Sequence, residues 1–209
     1  MGAVGLFYVG AVLFLNAVML LGRVEGKSAA PLNFFVGTMQ VAGPFYLIFT
    51  HPDDPWLIFS ACGLFLFGFT YLYVGIGLIA ELDSTGVGWY SLFVSIAAIG
   101  YSLANFLHFN DYRFGVIWLE WSFLWFLFWV LLGLKRNIAI YTGWVTLIEA
   151  WQTAAIPGFL ILSDNWSTPN DGAIAIAFAI GAVAVFAALY PITRALLPPA
   201  AVEQRPAAA

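Results

Sequence analysis

The sequence predicts an all-α integral membrane protein: three helix-hairpin repeats giving six transmembrane helices, and a seventh C-terminal transmembrane helix. Three observations predict it. The 209 residues are 63% apolar and 9% charged, with a mean hydropathy of +0.93. Soluble domains run about half apolar and about a quarter charged. Seven basic and eleven acidic residues cannot clothe a water-facing surface for a chain this long. Second, apolar runs long enough to cross a bilayer, which takes roughly 20 residues, alternate with short polar punctuation. Third, short motifs recur along the chain.

The spans follow in order. Met1 opens a hydrophobic run without a basic leader, so 3–22 reads as a retained span rather than a cleaved signal peptide. The next are 31–50, 56–80, 88–107, 113–134, 140–162 and 172–193. The punctuation is Arg23 to Lys27, His51 to Pro55, Glu81 to Gly86, Asn110 to Arg113, Lys135 to Asn137, and Asp164 to Asp171. Residues 1–162 form the six-helix core, 163–197 an outer loop with the added helix, and 198–209 a low-complexity, disordered cytoplasmic tail. With the N-terminus outside, Arg23, Lys27, Lys135, Arg136, Arg194 and Arg205 fall in the cytoplasm, and only Arg113 falls outside. The positive-inside rule therefore places the C-terminus inside.

Gly5-Leu6-Phe7-Tyr8-Val9-Gly10 opens span one, Gly63-Leu64-Phe65-Leu66-Phe67-Gly68 lies in span three, and Gly115-Val116-Ile117-Trp118 opens span five. Phe35-Val36-Gly37, Phe93-Val94-Ser95 and Leu147-Ile148-Glu149 occupy comparable places in the even spans. Each pair of spans is one hairpin unit, and parallel repeats about an axis along the membrane normal can enclose a path. Span seven stands outside the scheme.

Composition excludes other functions. Seven scattered basic residues make no nucleic-acid surface. Cys62 alone, with His51 and His108 far apart, gives no disulfide framework and no metal centre. There is no Gly-rich phosphate loop, and no cofactor is expected. Lys27 and Lys135 sit at span ends, so a retinal Schiff base is discarded; no acid–histidine cluster or activated nucleophile points to an enzyme.

Glu149 lies about nine residues into its span, roughly 14 Å deep at 1.5 Å per residue. A carboxyl there costs several kcal/mol unless it faces a polar cavity or partner. Gln152 and Thr153 follow at i+3 and i+4, on the same helix face. The stripe reads as the wall of a solute path; the plainer alternative is a helix–helix hydrogen bond. Glu120, on the helix face opposite Trp118 and Trp121, reads as a contact to another helix or subunit. Phe114, Trp118, Trp121, Trp125 and Trp129 form one aromatic stripe, open to either a path or tight packing. Phe67 and Tyr71 stand at i, i+4. Leu6, Val9, Leu13 and Asn16 share a face of span one, and a deep Asn wants a hydrogen-bonding partner. Such pieces suit a slot for a small, flat, neutral polar solute, held weakly enough to leave.

The chain resembles the AmiS/UreI family of bacterial urea and short-chain amide channels. The resemblance covers residues 1 to about 162 and rests on Leu6 to Gly10, Lys27-Ser28, Asn33 to Gly37, Phe67 to Tyr73, Trp89 to Val94, Ile117 to Leu119 with Trp121 and Trp125, and Ile148-Glu149 with Ile156-Pro157. It implies a pore within each protomer, a homohexamer with lipid in its central hole, passive transport across the bacterial inner membrane, and supply of urea or amide to a cytoplasmic urease or amidase. Carried over by motif, Phe67 and Tyr71 are constriction aromatics. Trp118, Trp121, Leu124 and Trp125 line the path, Glu149 is the pore carboxyl, and Phe114 stands where the urea channel has a further Trp. Leu6, Val9, Leu13 and Asn16 line the path from span one. The urea channel's long, histidine-bearing outer loops are absent here, so weak or no acid gating is expected. A proton- or ion-coupled small-solute transporter using Glu149 is the alternative function.

Overall fold

The computed structural model describes residues 2–166 and 171–195, and all regular structure among them is helical. Seven helical stretches are long and apolar enough to span a membrane. They are α1 (Gly2–Leu20), α2 (Gly26–Thr50), α3 (Pro55–Ala80), α4 (Thr85–Ala104), α5 (Tyr112–Phe128), a broken sixth span of α6 (Ala139–Glu149) and α7 (Ile156–Leu162), and α8 (Asp171–Ala195). π-helical turns extend α4 over Asn105–Phe109 and α5 over Trp129–Gly133, and a third, Ala150–Ala155, joins α6 to α7.

The seven spans match those expected from hydropathy to within a few residues at each end. The largest difference is at α2. Pro31 does not mark its start, because Ser28 and Ala29 already donate their N–H groups to the Glu25 carbonyl. The connections are short and locally fixed. Asp54 caps α3, its carboxylate accepting from the Trp56 and Leu57 N–H groups at 3.1 and 2.9 Å. Asp111 caps α5 by accepting from the Phe114 N–H at 2.9 Å. Asn110 adopts φ 53 at the end of α4, a conformation that asparagine tolerates better than most residues.

Helix packing follows the repeat with one change of pairing. The helices lying most intimately together are α2 with α3, α4 with α5, and the broken sixth span with α1. The three tight pairs are thus the first hairpin unit's second helix with the next unit's first, and so on round a ring closed by the sixth span and α1. Small residues permit the approach. A Cβ on Gly10 would stand 2.6 Å from the Ala155 nitrogen, and one on Gly68 3.0 Å from the Gln40 carbonyl carbon. At the third equivalent place is Ser122, whose hydroxyl donates to the Ser95 carbonyl at 2.8 Å while Ser95 donates to the Ser122 carbonyl at 2.8 Å. These three positions are related by shifts of 58 and 54 residues. The Gly115 anchor read from the sequence is therefore two residues out of register, since it falls opposite Ala61 rather than Gly63.

Helix α8 leans on α5 and α6 from outside the ring. Phe186 stacks on Phe123 with ring centres 5.7 Å apart, and the Tyr141 hydroxyl donates to the Phe186 carbonyl at 3.2 Å. Arg113 pairs with Asp171 and lies 3.8 Å over the Trp166 ring, fastening the start of α8 to the start of α5. The tail expected to be disordered, 198–209, lies outside the described residues.

Candidate functional site

Two cavities enter the six-helix ring from opposite ends. One opens on the face where α1 begins (the N-face), has a volume of about 430 Å³, and is walled in part by Leu6, Val9, Phe114 and Trp118. The other opens on the far face, measures about 180 Å³, and is walled in part by Leu13, Asn16, Tyr71, Leu124 and Trp125. Phe67 and Trp121 line both. They form the partition between the cavities.

The repeat explains this wall. Shifting by 58 residues carries Leu6, Val9, Leu13 and Asn16 of α1 onto Leu64, Phe67, Tyr71 and Val74 of α3, all lining residues. A further 54 carries these onto Trp118, Trp121, Trp125 and Phe128 of α5. The first helix of every hairpin thus turns the same face inward. At partition depth the three equivalents are Val9, Phe67 and Trp121.

The partition is closed by ring contacts. The Phe67 ring centre is 4.7 Å from those of both Trp121 and Trp125, at interplanar angles of 79° and 64°. The rings meet edge to face, a favoured aromatic geometry. They do not flank the open flat slot that the sequence suggested, because Phe67 reaches across to the tryptophans. On the N-face side Trp118 stacks on Tyr101 at 4.5 Å, and the Tyr101 hydroxyl donates to the Phe59 carbonyl at 3.0 Å. Trp121 is fixed by its indole N–H, which donates to the Thr153 hydroxyl at 2.8 Å; that hydroxyl donates in turn to the Glu149 carbonyl at 2.6 Å.

Eleven of the fourteen expected path residues line a cavity; Glu149, Gln152 and Thr153 line neither. Glu149 is fully buried, and its carboxyl oxygens have no hydrogen-bond partner among the described residues. It sits behind the indole wall, one turn from the hydroxyl that holds Trp121. Gln152 faces Glu120, donating from Nε2 to both carboxyl oxygens at 3.0 and 3.3 Å. Glu120 is therefore the helix contact expected of it. The single polar stripe divides because Ala150–Ala155 is π-helical. A π turn spaces its bonds i to i+5, so the α-helical i+3, i+4 rule no longer puts these side chains on one face.

Asn16 finds its partner in Asn33 of α2. Each amide donates to the other's carbonyl oxygen, at 2.9 and 2.8 Å, deep in the bundle. Gln40, Tyr101 and Asn105 are among the lining residues that the sequence did not point to. Gln40 of α2 lines the N-face cavity, and its signal was a second amide seven residues after Asn33 in an apolar span. Tyr101 and Asn105 line the same cavity but lie near a helix end, where they read as interfacial.

Among the described residues, the charged groups that line the two cavities stand at their mouths. Asp111 borders the N-face cavity. Loss of hydration raises its carboxyl above the usual range. Asp83 borders the far-face cavity. Hydrogen bonds from Lys135 and Thr85 hold its carboxyl well below the usual range. Lys135 lies 2.8 Å from Asp83, and Lys27 2.5 Å from Glu81.

Comparison with known proteins agrees with this architecture. Residues 1–165 match the AmiS/UreI family transporter. A putative amidate substrates transporter protein of Mycolicibacterium smegmatis is 51% identical over 209 residues, covering 100% of this chain and 97% of that protein. The putative transporter protein AmiS2 of Rhodococcus erythropolis is 48% identical, covering 98% and 97%. The cryoEM structure of the Helicobacter pylori urea channel in its closed state superposes with a TM-score of 0.73 at 32% identity, covering 80% of this chain and 100% of that one. These neighbours are transporters and channels rather than enzymes. The chain is a multi-pass membrane protein and belongs to the AmiS/UreI family of transporters.

Proposed function

We propose that the chain is a passive channel for urea or short-chain aliphatic amides, with the solute path running through each protomer. The observation that carries this is the pair of cavities that share Phe67 and Trp121 as a common wall. Their walls are apolar and aromatic with a few amides and hydroxyls, and the charges stay at the mouths. Such a path rejects hydrated ions and holds small neutral solutes too weakly to trap them. Rotation of the Phe67 ring off the tryptophan edges joins the two cavities. Glu149 supports the indole wall from behind, through the helical turn that carries Thr153, rather than touching the solute. The bacterial inner membrane, an outside N-terminus and cytoplasmic C-terminus, a homohexamer with lipid at its centre, and a cytoplasmic urease or amidase consuming the product of transport all belong to this reading.

The test is stopped-flow light scattering on proteoliposomes challenged with urea, acetamide and glycerol. Urea or acetamide shrinkage and reswelling should be fast, non-saturating and independent of any ion gradient. Trp121→Ala should admit glycerol and reduce urea discrimination about tenfold, the loss of roughly 1.4 kcal/mol of selectivity. Glycerol passing as fast as urea in the unaltered protein would overturn the reading.

A second reading, a proton- or ion-coupled transporter, is favoured by one observation: Glu149 is a fully buried carboxyl without a partner. Intramembrane carboxyls commonly serve as relays. That reading requires uptake to follow an imposed proton or sodium gradient, and Glu149→Gln to uncouple it.

A further inference from the structure

The added helix builds a third concavity, remote from the solute path. It has a volume of about 330 Å³ and lies on the far face between the end of α5, the start of α6 and the last turns of α8. Its wall includes Arg136, Asn137, Tyr141, Tyr190, Thr193 and Arg194. Among the described residues no acidic side chain lines it. Both arginines are exposed, and neither forms an ion pair among the described residues. The two lysines of the same face, Lys27 and Lys135, are by contrast each matched to a carboxylate. The local polar groups are partly spent. Tyr141 donates to Phe186, and the Thr193 hydroxyl donates to the Leu189 carbonyl at 2.9 Å. What is left facing the concavity is two guanidinium groups, with the Asn137 amide and the Tyr190 hydroxyl beside them.

Position decides what anion this suits. The concavity sits at the ends of membrane-spanning helices, at headgroup depth. Its floor, Val130, Ile138 and Ile140, is apolar, and Tyr141 and Tyr190 meet edge to face at 5.3 Å beside it. Amphipathic aromatic rings favour that depth. Arginine pairs phosphate oxygens through its planar fork. Basic pockets between transmembrane helices are suited to anionic lipid headgroups.

We propose that Arg136 and Arg194 hold the phosphate of an anionic phospholipid, wedged between the six-helix ring and α8. The lipid would tie α8 to the ring at the end opposite the Arg113–Asp171 pair.

Native mass spectrometry of the detergent-solubilised full chain tests this. It is titrated with phosphatidylglycerol, with phosphatidylcholine, and with phosphatidylglycerol in the presence of millimolar inorganic phosphate. One phosphatidylglycerol should bind in preference to phosphatidylcholine. R136Q/R194Q should weaken that binding about thirtyfold, given roughly 1 kcal/mol for each of the two basic residues near a charged headgroup. R136K/R194K should restore part of it, and Arg23→Gln, an exposed arginine on the same face outside the concavity, should leave it unchanged. Equal binding of phosphatidylcholine would overturn the proposal, as would unchanged binding in the double glutamine variant or an equal loss in Arg23→Gln. Displacement by inorganic phosphate would replace the lipid with a soluble anion and overturn it as well. The double glutamine variant's unfolding temperature in phosphatidylcholine should match the unaltered protein; a large drop there would mean that the arginines act structurally, and would sink the assignment.

Discussion

Thr153 is a small residue with a large charge of responsibility, because its hydroxyl is the acceptor for the indole N–H of Trp121 at the partition. Removing an acceptor from a buried donor costs about 1–3 kcal/mol. Thr153→Val should therefore release the Trp121 ring and change urea flux several-fold, while Thr153→Ser keeps the flux near that of the unaltered protein. Stopped-flow flux, with tryptophan emission as a check on ring environment, measures both. The Asn16–Asn33 pair makes a different prediction. Asn33→Leu strands one amide and should destabilise the protein by about 1–3 kcal/mol, whereas Asn16→Leu together with Asn33→Leu leaves nothing unpaired and should recover most of that loss. Thermal unfolding of the four-member cycle in detergent reads the difference. Residue identity was legible for most of the wall. Phe67 and Tyr71, and the stripe from Phe114 to Trp125, line the cavities because those stretches are regular α-helix, whereas Trp129, the last member of that stripe, opens a π turn, packs on Trp89 and lines neither cavity. Gln152 was misplaced because nothing in Ala150–Ala155 announces a π turn, and one such turn re-aims every side chain that follows it.

Helices are the scale at which hydropathy speaks most plainly. All seven spans were readable, since a run of apolar residues has no other way to satisfy its backbone in lipid. Which helices lie closest was not readable. Hydropathy is alike on all sides of such helices, and packing within a bilayer is chosen by small residues that let backbones meet. Gly10 against the Ala155 backbone is one such place. Gly10→Val should force α1 and the sixth span apart, costing about 1–3 kcal/mol and lowering urea flux along with the unfolding temperature. Gly43→Val, at a glycine with open space around its Cβ position, should leave both nearly unchanged.

Among the described residues the charged groups that border the two cavities stand at opposite ends of the molecule, and this bears on acid response. At pH 5 Asp83 keeps its charge and its bond to Lys135, because its carboxyl lies far below the usual range. Asp111 gains its proton at a higher pH than an ordinary aspartate. The carboxyl most ready to take up a proton thus stands at the N-face mouth, away from Phe67 and Trp121, and the solute is neutral. The histidines are also peripheral: His51 hydrogen-bonds Thr50 at 2.9 Å, and His108 stacks on Trp56 with ring centres 3.6 Å apart. Urea flux should change by less than about twofold between pH 7 and pH 5. A several-fold rise in acid that disappears on replacing both histidines would contradict this. The threefold order was visible in outline from the glycine-led motifs, but its true register emerged only from which residues face inward.

That register leaves the aperture lopsided. Two of its three quasi-equivalent corners are filled by ring systems, and the remaining corner is Val9, an aliphatic stub. The bulk is concentrated on two sides, and α1 has the slack. Calibre is therefore set most finely by the side chain with the least to lose, and homologues that handle bulkier or slimmer solutes should differ first at the position of Val9.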